Sequence, residues 1–301
     1  MPRSPSAVVL MAFIVAVAVV APAAHATFPG TNGQIAFTGP DSNGQPRNQI
    51  FGLSSDGSKR ADLTQFDQEN SKADWKVDGS EVAFSSAPNG NNGPGPEQIW
   101  TMNSDGSSRV QITSDSHDND APSWSPDGSK IAYVANPNGP DYGDVFVIPS
   151  GGGAPTNLTN LGSAGIADTP DWSPDGMKIA YVGRNGPDYD VFTVSSTGGA
   201  STNLTNDSAE DHDPSWSPDG GKIAYASKSG SGPFHIWVMN ADGSSKTQIT
   251  TGASNDFNPS WSPDGTKIAF DRGCPNDGCA NNQGIPQNGD IWVMDAAGTN
   301  A

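Results

Sequence analysis

The chain has 301 residues, 36 of them Gly and 25 Pro, and 15 Lys plus Arg against 33 Asp plus Glu leave a formal charge of −18. So acidic a chain lacks the basic face that a nucleic-acid binder needs. Only 6 Leu argue against a helical protein, and the scarcity of large aliphatic residues taken alone would mark a disordered chain. The aromatic and β-branched residues, however, recur in register every 44 to 49 residues, which is the pattern of a folded repeat.

Residues 1–26 place Arg3 in a short polar head, an apolar run from Ala7 to Ala21, and Ala24-His25-Ala26 as a small-x-small site. This reads as a secretory signal peptide cleaved before Thr27. The apolar run is shorter than the roughly 20 residues a spanning helix needs, and no later stretch is long enough to cross a bilayer. The expected location is extracytoplasmic, periplasmic or secreted.

From Phe28 onward one unit is written six times. The first copy is degenerate, with Phe28 seven residues before Ile35 and Asn32-Gly33 in the turn. The second, at Trp75, reads WKVDGSEVAF. The next four carry Trp-Ser-Pro-Asp-Gly at Trp124, Trp172, Trp216 and Trp261, each followed by Lys-Ile-Ala-aromatic. Lys alternates with buried Ile, as a half-buried strand demands. Ser-Pro-Asp-Gly fits a type I turn, with Pro fixing φ and Gly accepting positive φ, so Asp127, Asp175, Asp219 and Asp264 are turn formers before anything else. A second apolar run follows in each unit, such as Ile99–Met102 or Ile236–Met239. It leads into Asp-Gly, expected to be a two-residue hairpin turn, and then a segment ending in Thr64, Thr113, Thr159, Thr205 or Thr250.

Four short strands per unit cannot bury both faces alone, and six units in series do so by packing face to face around an axis. The expected fold is all-β: a six-bladed β-propeller of four-stranded antiparallel blades over residues 27–301, with blades starting near 28, 75, 124, 172, 216 and 261. The sixth unit breaks off at Gly298–Ala301, before its fourth strand, and the natural polypeptide is expected to continue. Cys274 and Cys279 enclose a Pro-Asn-Asp-Gly turn, and an exported chain would close them as a local disulfide; zinc would need two further ligands that are not spaced near them.

The PSWSPDG, KIAY and DIWVMNADG strings resemble the repeats of the TolB-like propeller family, exported proteins of the bacterial envelope. The resemblance spans nearly all of Phe28–Asn300. It implies a periplasmic binding propeller, and it differs in one respect: TolB carries an α/β domain ahead of its propeller, whereas here the first blade starts two residues after the expected cleavage site. Similar repeats also form the propellers of prolyl-oligopeptidase-type peptidases.

No Gly-x-Ser-x-Gly elbow, His-Glu-x-x-His or P-loop is present, and catalytic residues are expected to be none. His117 and His212 both lie just upstream of a repeat Trp, so two blades could present them at one rim, while solvated loop positions are the simpler reading. The loops entering each blade hold Asp118, Asp120, Asp168, Asp211, Asp213 and Asp256, with Glu69 and Asn70 in the second unit. Such loops gather at the mouth of a propeller channel, where carboxylates would favour a basic peptide segment or a cation such as calcium; they also make good solvated turns. The expected function is non-enzymatic binding of a protein, peptide or envelope polymer. The alternative is the propeller of a prolyl-oligopeptidase-type peptidase whose catalytic domain lies past Ala301.

Overall fold

The computed structural model describes residues 34–40, 48–54, 58–64, 69–87, 95–136, 143–162, 165–275 and 290–298. The N-terminal segment 1–26, Phe28 and Cys279 lie outside these residues. The described strands form six antiparallel meanders of 3, 4, 4, 4, 4 and 3 strands, a six-bladed propeller whose last blade has three strands. Among the described residues no helix is long and apolar enough to cross a membrane.

Each inner strand ends on the repeat Trp: Glu69–Trp75, Asn119–Trp124, Ala167–Trp172, Glu210–Trp216 and Ser254–Trp261. The turn that follows is closed by the expected bond from the Gly N–H to the Ser carbonyl, as Gly128 to Ser125 at 2.8 Å. The Asp carboxylate accepts from the Ser hydroxyl, as Ser125 to Asp127 at 2.6 Å. The turn delivers the chain so that Trp124 pairs with Ile131, and its counterparts pair in the same register in the other four blades.

Period-two alternation then builds the seams between blades. Ile131 and Tyr133 join Trp124, Ile99 and Ile112 between blades two and three, while Ala132, between them, faces the next seam. The other four seams repeat this composition, with Trp75, Trp172, Trp216 and Trp261 buried at their centres. At roughly 1.5–3 kcal/mol per fully buried large apolar side chain, the seams carry the fold. They also outweigh a recurring cost, because the indole N–H of all five Trp residues is buried without a partner.

The outer strands are tied down by the recurring Thr. Its Oγ1 accepts the N–H of the residue opening the apolar run of the third strand, as Thr64 from Ile50 at 2.9 Å and Thr250 from Ile236 at 2.8 Å. The Asp-Gly turns differ from the expected two-residue form. Gly106 N–H bonds to the Asn103 carbonyl and Asn103 N–H to the Ser107 carbonyl, which makes a three-residue loop with Gly106 at φ 84°. That extra residue brings Gly106 against the Leu63 carbonyl of the preceding blade; a Cβ there would lie 2.3 Å from the oxygen.

Candidate functional site at the channel mouth

The channel wall is set by an irregularity shared by five inner strands. Between the fourth and first residue before each Trp the ladder register jumps, a β-bulge. The residue three before the Trp has positive φ in every case: Lys72 49°, Ala121 52°, Thr169 42°, Asp213 53° and Asn258 51°. None is Gly, so each stores backbone strain that the surrounding fold must hold. The freed N–H groups find side-chain acceptors instead of ladder partners, as Lys72 N–H to Thr38 Oγ1 at 3.2 Å and Asn258 N–H to Asp213 Oδ2 at 3.3 Å.

Closing the ring brings these bulges together. Lys72 of blade two places Nζ 2.7 Å from Asp120 Oδ2 of blade three and 3.5 Å from Asp168 Oδ1 of blade four. Enclosure by the channel wall would by itself discharge Lys72, but the two carboxylates outweigh it and hold the ammonium firmly protonated. Enclosure likewise opposes ionisation of Asp120, whereas Lys72 and donors including the Ser85 hydroxyl win and keep its carboxyl below the usual range.

The arc from blades five and six carries carboxylates that, among the described residues, pair with no ammonium, and Lys228 Nζ stands 4.6 Å from the centre of the Phe234 ring there. Burial raises Asp213, against the pull of His212 and the Asn258 N–H. Burial also pushes Asp271 up to about 6, although Asn258 Nδ2 donates to it at 3.0 Å. Beside them runs an aromatic row across three blades: Tyr189 to His212 at 5.1 Å between ring centroids, His212 to Phe234 at 5.5 Å, and Phe234 to Phe257 at 4.5 Å. The mouth therefore has an ion-paired arc and an aromatic arc, and four carboxylates share one ammonium.

The sequence-selected acids take three settings. Asp120, Asp168 and Asp213 lie at the mouth. Asp211 and Asp256 are buried in the blade body, 1% and 0% exposed, with Asp256 clamped by Arg272 through Nε–Oδ1 at 2.6 Å and Nη2–Oδ2 at 3.0 Å. Asp118 accepts the Glu97 N–H at 3.0 Å and so joins blade three to a loop of blade two. Asn70 is buried and donates to Gln49 at 3.2 Å. His117 and His212 hold different positions in the repeat: His117 lies seven residues before its Trp and next to Asp115, whereas His212, four before its Trp, belongs to the aromatic row. The Cys274–Cys279 pair includes a residue outside the described ones.

Sequence reasoning passed over Lys72, Asp271 and two acids deeper in the channel wall, Asp74 and Asp171. Each of these two stands immediately before a repeat Trp and accepts the Trp N–H of the following blade, Asp74 from Trp124 at 2.7 Å and Asp171 from Trp216 at 2.6 Å. Burial raises both, Asp171 to about 7, with the backbone N–H groups opposing; for Asp74 the Asp171 charge adds to the rise. Counting back from each Trp would have found all but Asp271. Among the described residues no three His, Cys, Asp or Glu side chains are grouped to hold a metal ion, and the cation between Asp120 and Asp168 is the lysine ammonium.

Comparison with known proteins matches this architecture. No curated protein sequence matches the chain. TolB from Acinetobacter baumannii superposes with a TM-score of 0.71 at 19% identity, over 88% of this chain and 62% of its own. A putative TolB from Agrobacterium tumefaciens gives 0.65 at 24% identity, over 80% and 82%. A puromycin-hydrolyzing peptidase of Mycobacterium tuberculosis gives 0.61 at 16% identity, over 88% of this chain and 43% of the peptidase. The chain thus spans less than two thirds of the Acinetobacter protein and under half of the peptidase, and likeness at these identities establishes the fold alone. The sequence model of the TolB beta propeller domain matches residues 91–234 and 169–301, more than half of the chain, and the chain belongs to that family.

Proposed function

We propose that this chain is an exported, non-enzymatic propeller that binds a basic, partly apolar peptide segment of a partner protein at its channel mouth. The observation that carries the reading is the division of the mouth. Asp213 and Asp271 lack an ammonium of their own and lie beside the half-buried rings of Tyr189, His212 and Phe257. Carboxylates flanked by aromatic faces attract cationic side chains by charge and by cation–π contact, and the rings provide apolar area for neighbouring residues. The family supports a binding role, and the apolar N-terminal segment supports an extracytoplasmic one.

Fluorescence anisotropy with a short labelled Lys- and Phe-containing peptide, and the same peptide with Glu for Lys, tests this. The basic peptide should bind, weaken about tenfold in high salt as a charge-steered contact does, and lose most of its affinity in Asp213→Asn/Asp271→Asn. Equal binding of both peptides, or binding indifferent to those substitutions, rejects the reading.

The peptidase likeness favours a second reading, in which the propeller belongs to a serine peptidase and the channel admits substrate. The gene sequence beyond the codon for Ala301 decides it: a Gly-x-Ser-x-Gly followed by Asp and His supports the peptidase, and a stop after one outer strand rejects it.

A further inference from the structure

In three of the blades the side chain five residues before the repeat Trp meets a residue at the start of the third strand of the preceding blade. In blades two and three the pairs are amides, Asn70 with Gln49 at 3.2 Å and Asn119 with Gln98 at 3.3 Å. Blade four has Ala167, whose N–H bonds to Gly143. Blade six has Asp256, which faces His235 at 3.7 Å and is neutralised by Arg272. Blade five has Asp211 in the same position, and the Asp190 charge acts on it across the seam.

Among the described residues, that seam alone brings two carboxylates together. Asp190 is 0% exposed and its oxygens are taken by Asn203 Nδ2 at 2.8 Å and Thr205 Oγ1 at 3.0 Å. Asp211 is 1% exposed, and the Ser227 and Thr205 hydroxyls stand near its oxygens without closing a full hydrogen bond to either. Strand register explains the deficit: Arg272 stands opposite Asp256, and the residue opposite Asp211 is Ser227. Among the described residues the surroundings hold no spare cation. From the third strand of blade four comes Asp190; from the following outer segment, Thr205 and Asp207; and from the second strand of blade five, Ser227 and Tyr225. Lys246 is engaged by Asp207 at 2.9 Å and by the Thr205 carbonyl, and Lys228 by Glu210 at 3.0 Å. Ionised carboxylates only accept hydrogen bonds, so two of them cannot satisfy each other, and a protonated one donates to its neighbour.

We propose that this seam is a proton-dependent latch: Asp211 takes up one proton from solvent on acidification and donates it across the seam, tying blade five to blade four, and gives it back as the solution is brought through neutrality, loosening this seam. Burial holds Asp211 near 6, with Ser227 and Thr205 pulling it down and Asp207 and Asp190 adding to the rise. Asp211 immediately precedes His212 and Asp213, so the latch sits on the strand that forms the aromatic arc of the mouth.

Hydrogen exchange, corrected for intrinsic rates, on the full chain at pH 5 and pH 8 tests the latch. It is run in an Asp74→Asn/Asp171→Asn background, because the raised carboxyls of Asp171 and Asp74 touch Trp216 and Trp124 of the two segments compared. Protection of residues 210–216 should fall about tenfold at the higher pH while that of 119–124 holds. Asp211→Asn should remove the difference, and Ser227→Arg, which copies the Arg272 arrangement of blade six, should remove it independently. If Asp211→Asn fails to fold, Ser227→Arg decides. An unchanged pH dependence in the folded variants, or an equal loss of protection at 119–124, overturns the proposal.

Discussion

Lys72 and Asp168, 96 residues apart and separated by one intervening blade, meet with Nζ and Oδ1 3.5 Å apart. This contact shows how narrow the channel is at the bulges, and it makes Lys72 the charge that limits the acidity of the mouth.

Lys72→Met should therefore strengthen binding of the basic peptide several-fold and steepen its salt dependence, because Asp120 and Asp168 become available to it. Stability at pH 8 should fall by about 1–2 kcal/mol, less than for a fully buried pair since both partners are partly solvated. Anisotropy titrations and chemical denaturation measure the two effects; weaker peptide binding would place Lys72 among the contacts.

Asp171 sets the expected response to pH. Its folded value, about 7, lies above the ordinary 3.8, so the folded state binds the proton more tightly than the unfolded chain. Stability from this group is full below the ordinary value and is lost as pH rises through about 7. Asp171→Asn keeps an acceptor for the Trp216 N–H and removes the titration. It should match the parent at pH 4, where the folded forms are both neutral, and exceed it by about 4 kcal/mol at pH 9, seen as a higher Tm.

Gly106 tests the blade-to-blade approach. Gly106→Ala combines positive φ with a Cβ 2.3 Å from the Leu63 carbonyl and should cost about 2–4 kcal/mol. Gly186→Ala has φ 72° and open space around it, and should cost only about 1 kcal/mol. Denaturant midpoints separate the two; equal losses would show that the carbonyl yields.

Arg272→Met should leave Asp256 buried and uncompensated, lowering stability by about 3 kcal/mol. Arg272→Lys should recover only part, because an ammonium does not reproduce the two-pronged contact. Full recovery in denaturation experiments would reduce the bond to simple charge.

Most of the fold was legible because its determinants are local. Trp124, Pro126, Gly128 and Ile131 lie within eight residues, and alternation assigns their faces without knowledge of any other blade. The site was legible only in outline. Asp120 and Asp256 look alike in sequence, both in acidic loops before a Trp, yet one stands four residues before it and the other five. In a strand that single step reverses the face, sending one to the mouth and the other into the blade. The bulge that shifts the register leaves no Gly to announce it, and Lys72 sits in the copy that departs most from the repeat.

The amino-acid order by itself determined the repeat, its turns and the pairing of Trp with Ile, since short-range sterics and hydrophobic periodicity decide these within one unit. Which charges meet was decided only by closure of the ring. Lys72 finds Asp120 and Asp168, Asp256 finds Arg272, and Asp211 is left with Asp190, because electrostatic partners depend on distances in space that no spacing along the chain encodes.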